Sequence, residues 1–185
     1  MRRKTNFGNP KVKEVIIDFN DKEAFQHAIE AGSSIFCAIG TTNSKVKGNK
    51  EMYRKVDYDI PVHAAKFGLE KNCNTFVLVS STGADSNSSN FYTKLKGEVE
   101  DDISSLGYQN LHILRPSLLL GNREEFRFGE KLGKYFMTVF SFLIPSKYKA
   151  IQAKNVAKAM LKASKVNINE TQVYHYREIL NLSQK

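Results

Sequence analysis

A tyrosine and a lysine four residues apart, Tyr92 and Lys96, are the residues of this sequence best suited to acid–base chemistry. A spacing of i to i+4 on a helix places two side chains on the same helical face. An ammonium near a phenol stabilises the phenolate and lowers the phenol pKa from about 10. The pair therefore predicts a tyrosine that gives a proton to a substrate oxygen, or takes one from it, near neutral pH.

The spacing alone is a weak signal, because a surface Tyr–Lys pair on an amphipathic helix has the same pattern. The context strengthens it. Ser80 and Ser81 end the apolar run that precedes this helix, and a serine hydroxyl at a strand end can hold the same substrate oxygen. The sequence thus predicts a catalytic group of Tyr92, Lys96 and Ser81, with Ser80 as the alternative serine.

Apolar runs and helical patterns alternate along the first two thirds of the chain. The predicted strands are 12–19, 34–39, 75–79 and 111–114, and the predicted helices are 22–31, 51–72, which Pro61 bends or divides, and 91–106. The strands lack the polar alternation of a sheet with one wet face. The pattern therefore predicts an α/β fold with a doubly wound parallel sheet covered by helices on both faces.

Ligands of such sheets bind beyond the carboxyl ends of the strands. The polar groups at those ends should open onto one crevice, and they comprise Asp18, Gly40 with Thr41 and Thr42, Ser80 with Ser81, and Arg115 with Pro116 and Ser117.

No linker interrupts the chain, so we predict a single domain over 1–185, with a core over 1–121 and a cap with C-terminal elements over 122–185. The cap is a small helical addition to the sheet. It should contain helices at 130–143 and 155–166 and a short strand at 172–176. The aromatic stripe of the first cap helix is typical of packing, with a membrane-surface or dimer face as the alternative. His63 is interpreted as an ordinary, partly buried histidine.

Composition argues against several classes of protein. The net charge is +9, but the lysines are dispersed and no nucleic-acid-binding motif accompanies them, so we do not expect nucleic-acid binding. No apolar run approaches the roughly 20 residues of a membrane span. Cys37 and Cys73 lack metal-ligand spacing, which predicts free thiols, no metal site and a cytoplasmic location.

The motifs together resemble the atypical and extended short-chain dehydrogenases/reductases, an NAD(P)-binding superfamily with a Rossmann-type fold. The resemblance runs from about residue 2 to about residue 163 and is greatest to the branch of Tat-interacting-protein-like oxidoreductases. It rests on the stretches CAIGTT at 37–42, SSTGAD at 80–85, SNF at 89–91, YTKLKGEVE at 92–100, LRPS at 114–117 and GEKL at 129–132.

The resemblance implies a role for each matching residue. Tyr92 is the implied general acid/base, Lys96 lowers its pKa and bonds the nicotinamide ribose, and Ser81 orients the substrate carbonyl. The other implied cofactor contacts are Asp18 and Phe19 by the adenine, Gly40 and Thr41 by a sugar and phosphate, and Pro116, Ser117 and Leu118 by the nicotinamide.

Arg2 and Arg3, with Lys4, resemble the basic cluster that follows the second strand in members that prefer NADPH. A guanidinium suits a 2′-phosphate, so the resemblance favours NADP(H) over NAD(H). A solvated basic terminus is the alternative interpretation of this cluster.

The superfamily begins with a strand, a glycine-rich turn and a helix that hold the pyrophosphate. This sequence contains no GxxGxxG, so we expect an N-terminally truncated core and weak or no dinucleotide binding by these 185 residues. Two functions remain open: an NAD(P)-dependent oxidoreductase acting on a small carbonyl or alcohol, as a monomer or homodimer, and a non-catalytic dinucleotide-binding regulatory or scaffold protein.

Overall fold

A computed structural model of the chain describes residues 8–121, 145 and 148–184. The predicted helix 130–143 lies outside the described residues. The elements, in chain order, are α1 Lys22–His27, β1 Ser34–Cys37, α2 Lys50–Arg54, a π-helical turn Lys55–Asp59, α3 Ile60–Glu70, β2 Thr75–Val79, α4 Phe91–Ser105, β3 Asn110–Leu114, β4 Leu119–Leu120, β5 Ile151–Gln152, α5 Ala153–Ala163, β6 Thr171–Tyr174 and α6 Tyr176–Gln184.

The main sheet has the strand order β1-β2-β3-β6, and its three pairings are all parallel. In this register Thr75 lies between Ser34 and Asn110. A short parallel pair of β4 and β5 lies apart from it. The predicted parallel α/β architecture is therefore confirmed. Because all four strands of the main sheet run the same way, the loops after them emerge at one edge.

Two hydrophobic clusters cover the two faces of the central strands. Phe76 and Leu78 of β2 face a cluster built with α1, α3 and α4. Val77, between them, faces a second cluster built with α5 and α6. Alternate residues of one strand thus enter opposite cores, which is why the strand sequence is apolar throughout.

The predicted strand 12–19 is wrong. Residues 12–17 have no regular secondary structure, and the side chains of Val12, Val15 and Ile16 are about half exposed. A β-rich run becomes a strand only when a neighbouring strand supplies hydrogen bonds and a face to pack on. At the end of the run, Phe19 packs edge-on against Phe25 of α1.

Strand β1 was predicted to be covered by helices on both faces, but one of its faces is open. Cys37 is buried in the first cluster, whereas the side chain of Phe36, on the opposite face, is 45% exposed. β1 therefore forms the edge of the sheet within the described part of the chain, with one open face.

Pro61 divides the long predicted helix 51–72. Proline has no N–H, so the α-helical hydrogen bond to the carbonyl of Asp57 cannot form. The helix widens into the π-helical turn Lys55–Asp59 just before it, and α3 begins at Ile60. No helix among the described residues is long and apolar enough to cross a membrane.

Candidate functional site

Helix α4 begins at the loop that follows β2, and its first turn is fixed by a side-chain cap. Asn90 Oδ1 accepts hydrogen bonds from the backbone N–H groups of Tyr92 and Thr93, at 3.0 and 3.2 Å. Gly97 lets the helix lie directly on that loop, since a Cβ there would stand 2.1 Å from the backbone nitrogen of Ser86. Local capping and one close approach therefore set where Tyr92 and Lys96 project.

Lys96 forms a buried ion pair with an aspartate that the sequence analysis did not single out. Its Nζ lies 2.9 Å from Oδ1 of Asp57, and the two side chains are 7% and 2% exposed. Asp57 belongs to the π-helical turn. The ammonium has three N–H donors, and one of them points to this carboxylate.

The same carboxylate holds the loop after β1. Asp57 Oδ2 accepts a hydrogen bond of 2.7 Å from the backbone N–H of Thr41. A Cβ at Gly40 would lie 3.3 Å from Asp57 Oδ1, a tight contact that glycine avoids. Gly40 and Thr41 thus lie beside Lys96, and the structure brings these three predicted site residues together.

Tyr92 is 39% exposed, so its phenol is open to solvent rather than packed in the core. Its ring packs edge-on against the ring of Tyr53, with the centroids 6.4 Å apart. Tyr53 is buried, and its hydroxyl donates to the carbonyl of Thr41 at 3.4 Å. Tyr53 therefore joins the catalytic candidate to the loop after β1, a contact that the sequence analysis missed.

The serines after β2 differ in environment. Ser80 is 7% exposed, and its buried Oγ has no hydrogen-bond partner among the described residues. Ser81 is less buried, and its hydroxyl makes one long hydrogen bond, 3.4 Å, to the carbonyl of Thr82. Both hydroxyls are therefore weakly engaged, and Ser81 is the more accessible of the two.

The segment after β3 is held from both sides. Arg115 Nε lies 3.0 Å from both carboxylate oxygens of Glu100, and its Nη2 bonds one of them. The carbonyl of Pro116 accepts from the backbone N–H of Thr82 at 2.9 Å. Ser117 Oγ donates to the carbonyl of Lys149, and the carbonyl of Leu118 accepts from Ile151. Pro116 therefore lies beside the loop that carries Ser81.

The predicted adenine contacts lie in the turn before α1 rather than at a strand end. Asp18 is exposed, and the backbone and side-chain hydrogen bonds from Asn20 lower the pKa of its carboxyl. Phe19 is 38% exposed. Arg2 and Arg3 lie outside the described residues.

Burial raises the pKa of the Cys37 thiol, which keeps this residue at the end of β1 neutral. Cys37 and Cys73 are free thiols, and both are buried. Within residues 8–121, 145 and 148–184, no group of three histidine, cysteine, aspartate or glutamate side chains is placed to hold a metal ion.

The residues present fit one end of a dinucleotide. Gly40 approaches Asp57 closely without a Cβ, and Lys96 can offer two further N–H donors. The buried Ser80 hydroxyl has no partner within the part of the chain that the structure describes. This donor set suits a ribose with its attached ring. Pyrophosphate binding needs a glycine-rich turn after a strand, and the sequence has none.

A parallel sheet with loops that meet at its carboxyl edge, together with the tyrosine and lysine of α4, defines the class of NAD(P)-binding Rossmann-type proteins. A structure described as MoeE5 in complex with UDP-glucose and NAD matches with a TM-score of 0.62 and 10% identity, covering 92% of this chain and 67% of that one. At this identity the match shows the fold alone.

Proteins with higher sequence identity to this chain show its family. The chain is 39% identical over 128 residues to Protein FMP52, mitochondrial, of Candida albicans, covering 67% of this chain and 56% of that protein. It is 33% identical over 163 residues to Protein HTATIP2 of Rattus norvegicus, covering 86% and 66%. The chain belongs to the atypical short-chain dehydrogenase/reductase superfamily of HTATIP2 and FMP52. No protein-family profile matches it.

Two consequences follow from these relatives. The chain spans between roughly half and two thirds of their lengths, 56% of one and 66% of the other. The expected cytoplasmic location is wrong, because the FMP52 relatives from several fungi are named as mitochondrial proteins.

Proposed function

We propose that this chain is the catalytic part of an NAD(P)-dependent oxidoreductase that acts on a carbonyl or alcohol group of a small molecule. The observation that carries the proposal is the arrangement on α4. Tyr92 is open to solvent at the start of the helix, and Lys96, one turn later, is a buried ammonium fixed by Asp57. A mere surface pair would have an exposed, unconstrained lysine.

The cofactor, when bound, supplies or accepts the hydride at its nicotinamide ring. Lys96 and the Gly40–Thr41 loop would hold the ribose, and Pro116 to Leu118 would flank the ring. The basic residues Arg2 and Arg3 would favour the 2′-phosphate of NADP(H).

Tyr92 handles the proton of the reaction. In reduction of a carbonyl, its hydroxyl donates a proton to the substrate oxygen, and in oxidation of an alcohol the phenolate removes it. The Ser81 hydroxyl donates a hydrogen bond to the same oxygen and orients it. Lys96 lies one helical turn later, with its ammonium held by Asp57 beside the Gly40–Thr41 loop.

The test uses the full-length protein that contains this chain and follows NADPH oxidation with a panel of aldehydes and ketones. We expect Tyr92→Phe to lower kcat at least about 100-fold, the usual contribution of a general acid. The control is Tyr176→Phe, which removes the same hydroxyl from a tyrosine packed against the second hydrophobic cluster. This variant should retain full turnover.

Full turnover by Tyr92→Phe with every working substrate would disprove the mechanism. A wild-type protein that binds NADPH tightly and oxidises none of it over the panel would instead be a dinucleotide-binding regulatory protein.

We also propose a mitochondrial location, from the names of the FMP52 relatives. Fractionation of cells that express the full-length protein tests it.

A further inference from the structure

We propose that Asp57 is a positioning residue that couples the loop after β1 to the ammonium of Lys96. The proposal deepens the proposed function, because it rests on Lys96 serving Tyr92. It assigns a role to a residue outside the Ser81, Tyr92 and Lys96 group, and to the π-helical turn that carries it.

Each carboxylate oxygen of Asp57 contacts a different element. Oδ1 lies 2.9 Å from Lys96 Nζ on α4, and Oδ2 accepts from the Thr41 N–H, at 2.7 Å, in the loop after β1. Asp57 is 1% exposed, so water does not compete for either oxygen. A displacement of the loop therefore has to move the carboxylate, and with it the ammonium.

The backbone around Asp57 is specialised for this contact. The residue is central in the π-helical turn Lys55–Asp59, and such turns interrupt α-helices mostly as single, local features that often lie at functional sites. Gly40 completes the fit, because a Cβ there would press on Oδ1.

Stability alone does not explain the ion pair. Two buried charges lose their hydration, and apolar residues of similar size often stabilise a fold equally well or better. What an apolar pair cannot supply is a fixed ammonium on α4 and a fixed acceptor for the Thr41 N–H. The pair therefore has a positional role at the site.

The coupling is tested first on the chain without any ligand, by hydrogen exchange of the Thr41 amide. In Asp57→Asn one side-chain oxygen must serve two donors, so we expect Thr41 to exchange at least about tenfold faster. We expect a similar acceleration in Lys96→Met, which contacts Thr41 only through Asp57. The control is Asp59→Asn, in the same turn, which should leave Thr41 unchanged.

Unchanged Thr41 exchange in Lys96→Met would overturn the coupling. Should the single variants fail to fold, the double variant Asp57→Leu with Lys96→Met replaces the charges by an apolar pair. It should fold and still show fast exchange at Thr41. Slow exchange there would also overturn the proposal.

A second readout uses the full-length protein with NADPH and a working carbonyl substrate. Asp57→Asn should lower kcat at least about tenfold with little change in the KM of the carbonyl substrate, since the misplaced group acts on the proton-transfer step. Wild-type kcat in this variant would contradict the role. If wild type shows no turnover at all, the proposed function fails, while the exchange experiment still decides the coupling.

Discussion

The guanidinium of Arg115 donates hydrogen bonds to both carboxylate oxygens of Glu100. Glu100 lies one helical turn after Lys96, on the buried face of α4. The buried face of helix α4 is therefore anchored by two ion pairs on successive turns. Lys96 ties it to the π-helical turn, and Glu100 ties it to the segment after β3. The helix that carries Tyr92 is thus held between the π-helical turn and the segment after β3.

Glu100→Gln should destabilise the chain by about 2 kcal/mol, because Glu100 is 5% exposed and its loss leaves the Arg115 charge unbalanced. This expected loss of stability is smaller than the loss on breaking a fully buried ion pair, because the Arg115 side chain is 25% exposed. The control is Glu98→Gln, which breaks the exposed pair with Arg54 and should cost less than about 1 kcal/mol. Urea denaturation measures both, and equal losses would contradict the prediction.

Gly97→Ala should destabilise the chain by about 3 kcal/mol, although alanine is the better helix former. The new Cβ would lie 2.1 Å from Ser86 N and 2.3 Å from the carbonyl carbon of Asp85, both of them backbone atoms. The helix or the loop after β2 must shift. Gly121→Ala is the control, with its Cβ at an ordinary 3.6 Å from Ala153, and should change stability by less than about 1 kcal/mol. Thermal unfolding distinguishes them.

The stability of the chain should fall as the pH drops below about 6.5. Burial lowers the pKa of His112, which is 0% exposed, and burial together with the charge of Lys22 lowers the pKa of His63. A histidine whose folded-state pKa is depressed binds fewer protons in the folded chain than in the unfolded chain. Its stabilisation is therefore complete above the unfolded pKa and is lost as the pH falls towards the folded pKa.

The measurement is the free energy of unfolding between about pH 7.5 and pH 5. His112→Asn should remove up to about 1.4 kcal/mol per pH unit from the slope, the contribution of one proton. The same change at the exposed His175 should leave the slope as it is. A slope that survives unchanged in His112→Asn would count against burial of the neutral ring.

We expect the 185 residues to bind NADPH weakly or not at all. A pyrophosphate is held by backbone N–H groups at a helix N-terminus, and this sequence lacks the glycine-rich turn that presents them. Charges on a basic segment are screened within about 8 Å at physiological salt and do not replace such a cradle. Calorimetry of the chain with NADPH tests this, and micromolar affinity would refute it.

In the full-length protein, replacing Arg2 and Arg3 by alanine should weaken NADPH binding more than NADH binding. The guanidinium groups fit the 2′-phosphate that only NADPH carries. The same double change at Lys11 and Lys13, which are exposed, is the control for loss of positive charge. An equal loss of both cofactors in the arginine variant would show that the cluster attracts phosphates without selecting between them.

Local signals predicted the elements that carry Tyr92 and Lys96. Strand β2 has the bounds that its apolar run indicates, and α4 begins directly after its Asn90 cap. The run 12–19 failed because strand formation depends on a partner, which its own sequence cannot reveal. Asp57 was missed for a similar reason, since its partner Lys96 lies far along the chain and an acid within a helix is usually solvated.

The π-helical turn also affects how this chain should be aligned with its relatives. A π turn is an α-helix that has gained one residue, so removing one residue from 55–59 would restore regular geometry. Everything before the deletion would then rotate by about 100° relative to α3. Tyr53 would turn away from Tyr92 and from the carbonyl of Thr41. A one-residue gap at this point in a homologue would therefore mark a different surrounding of Tyr92, even where Tyr92 and Lys96 are retained.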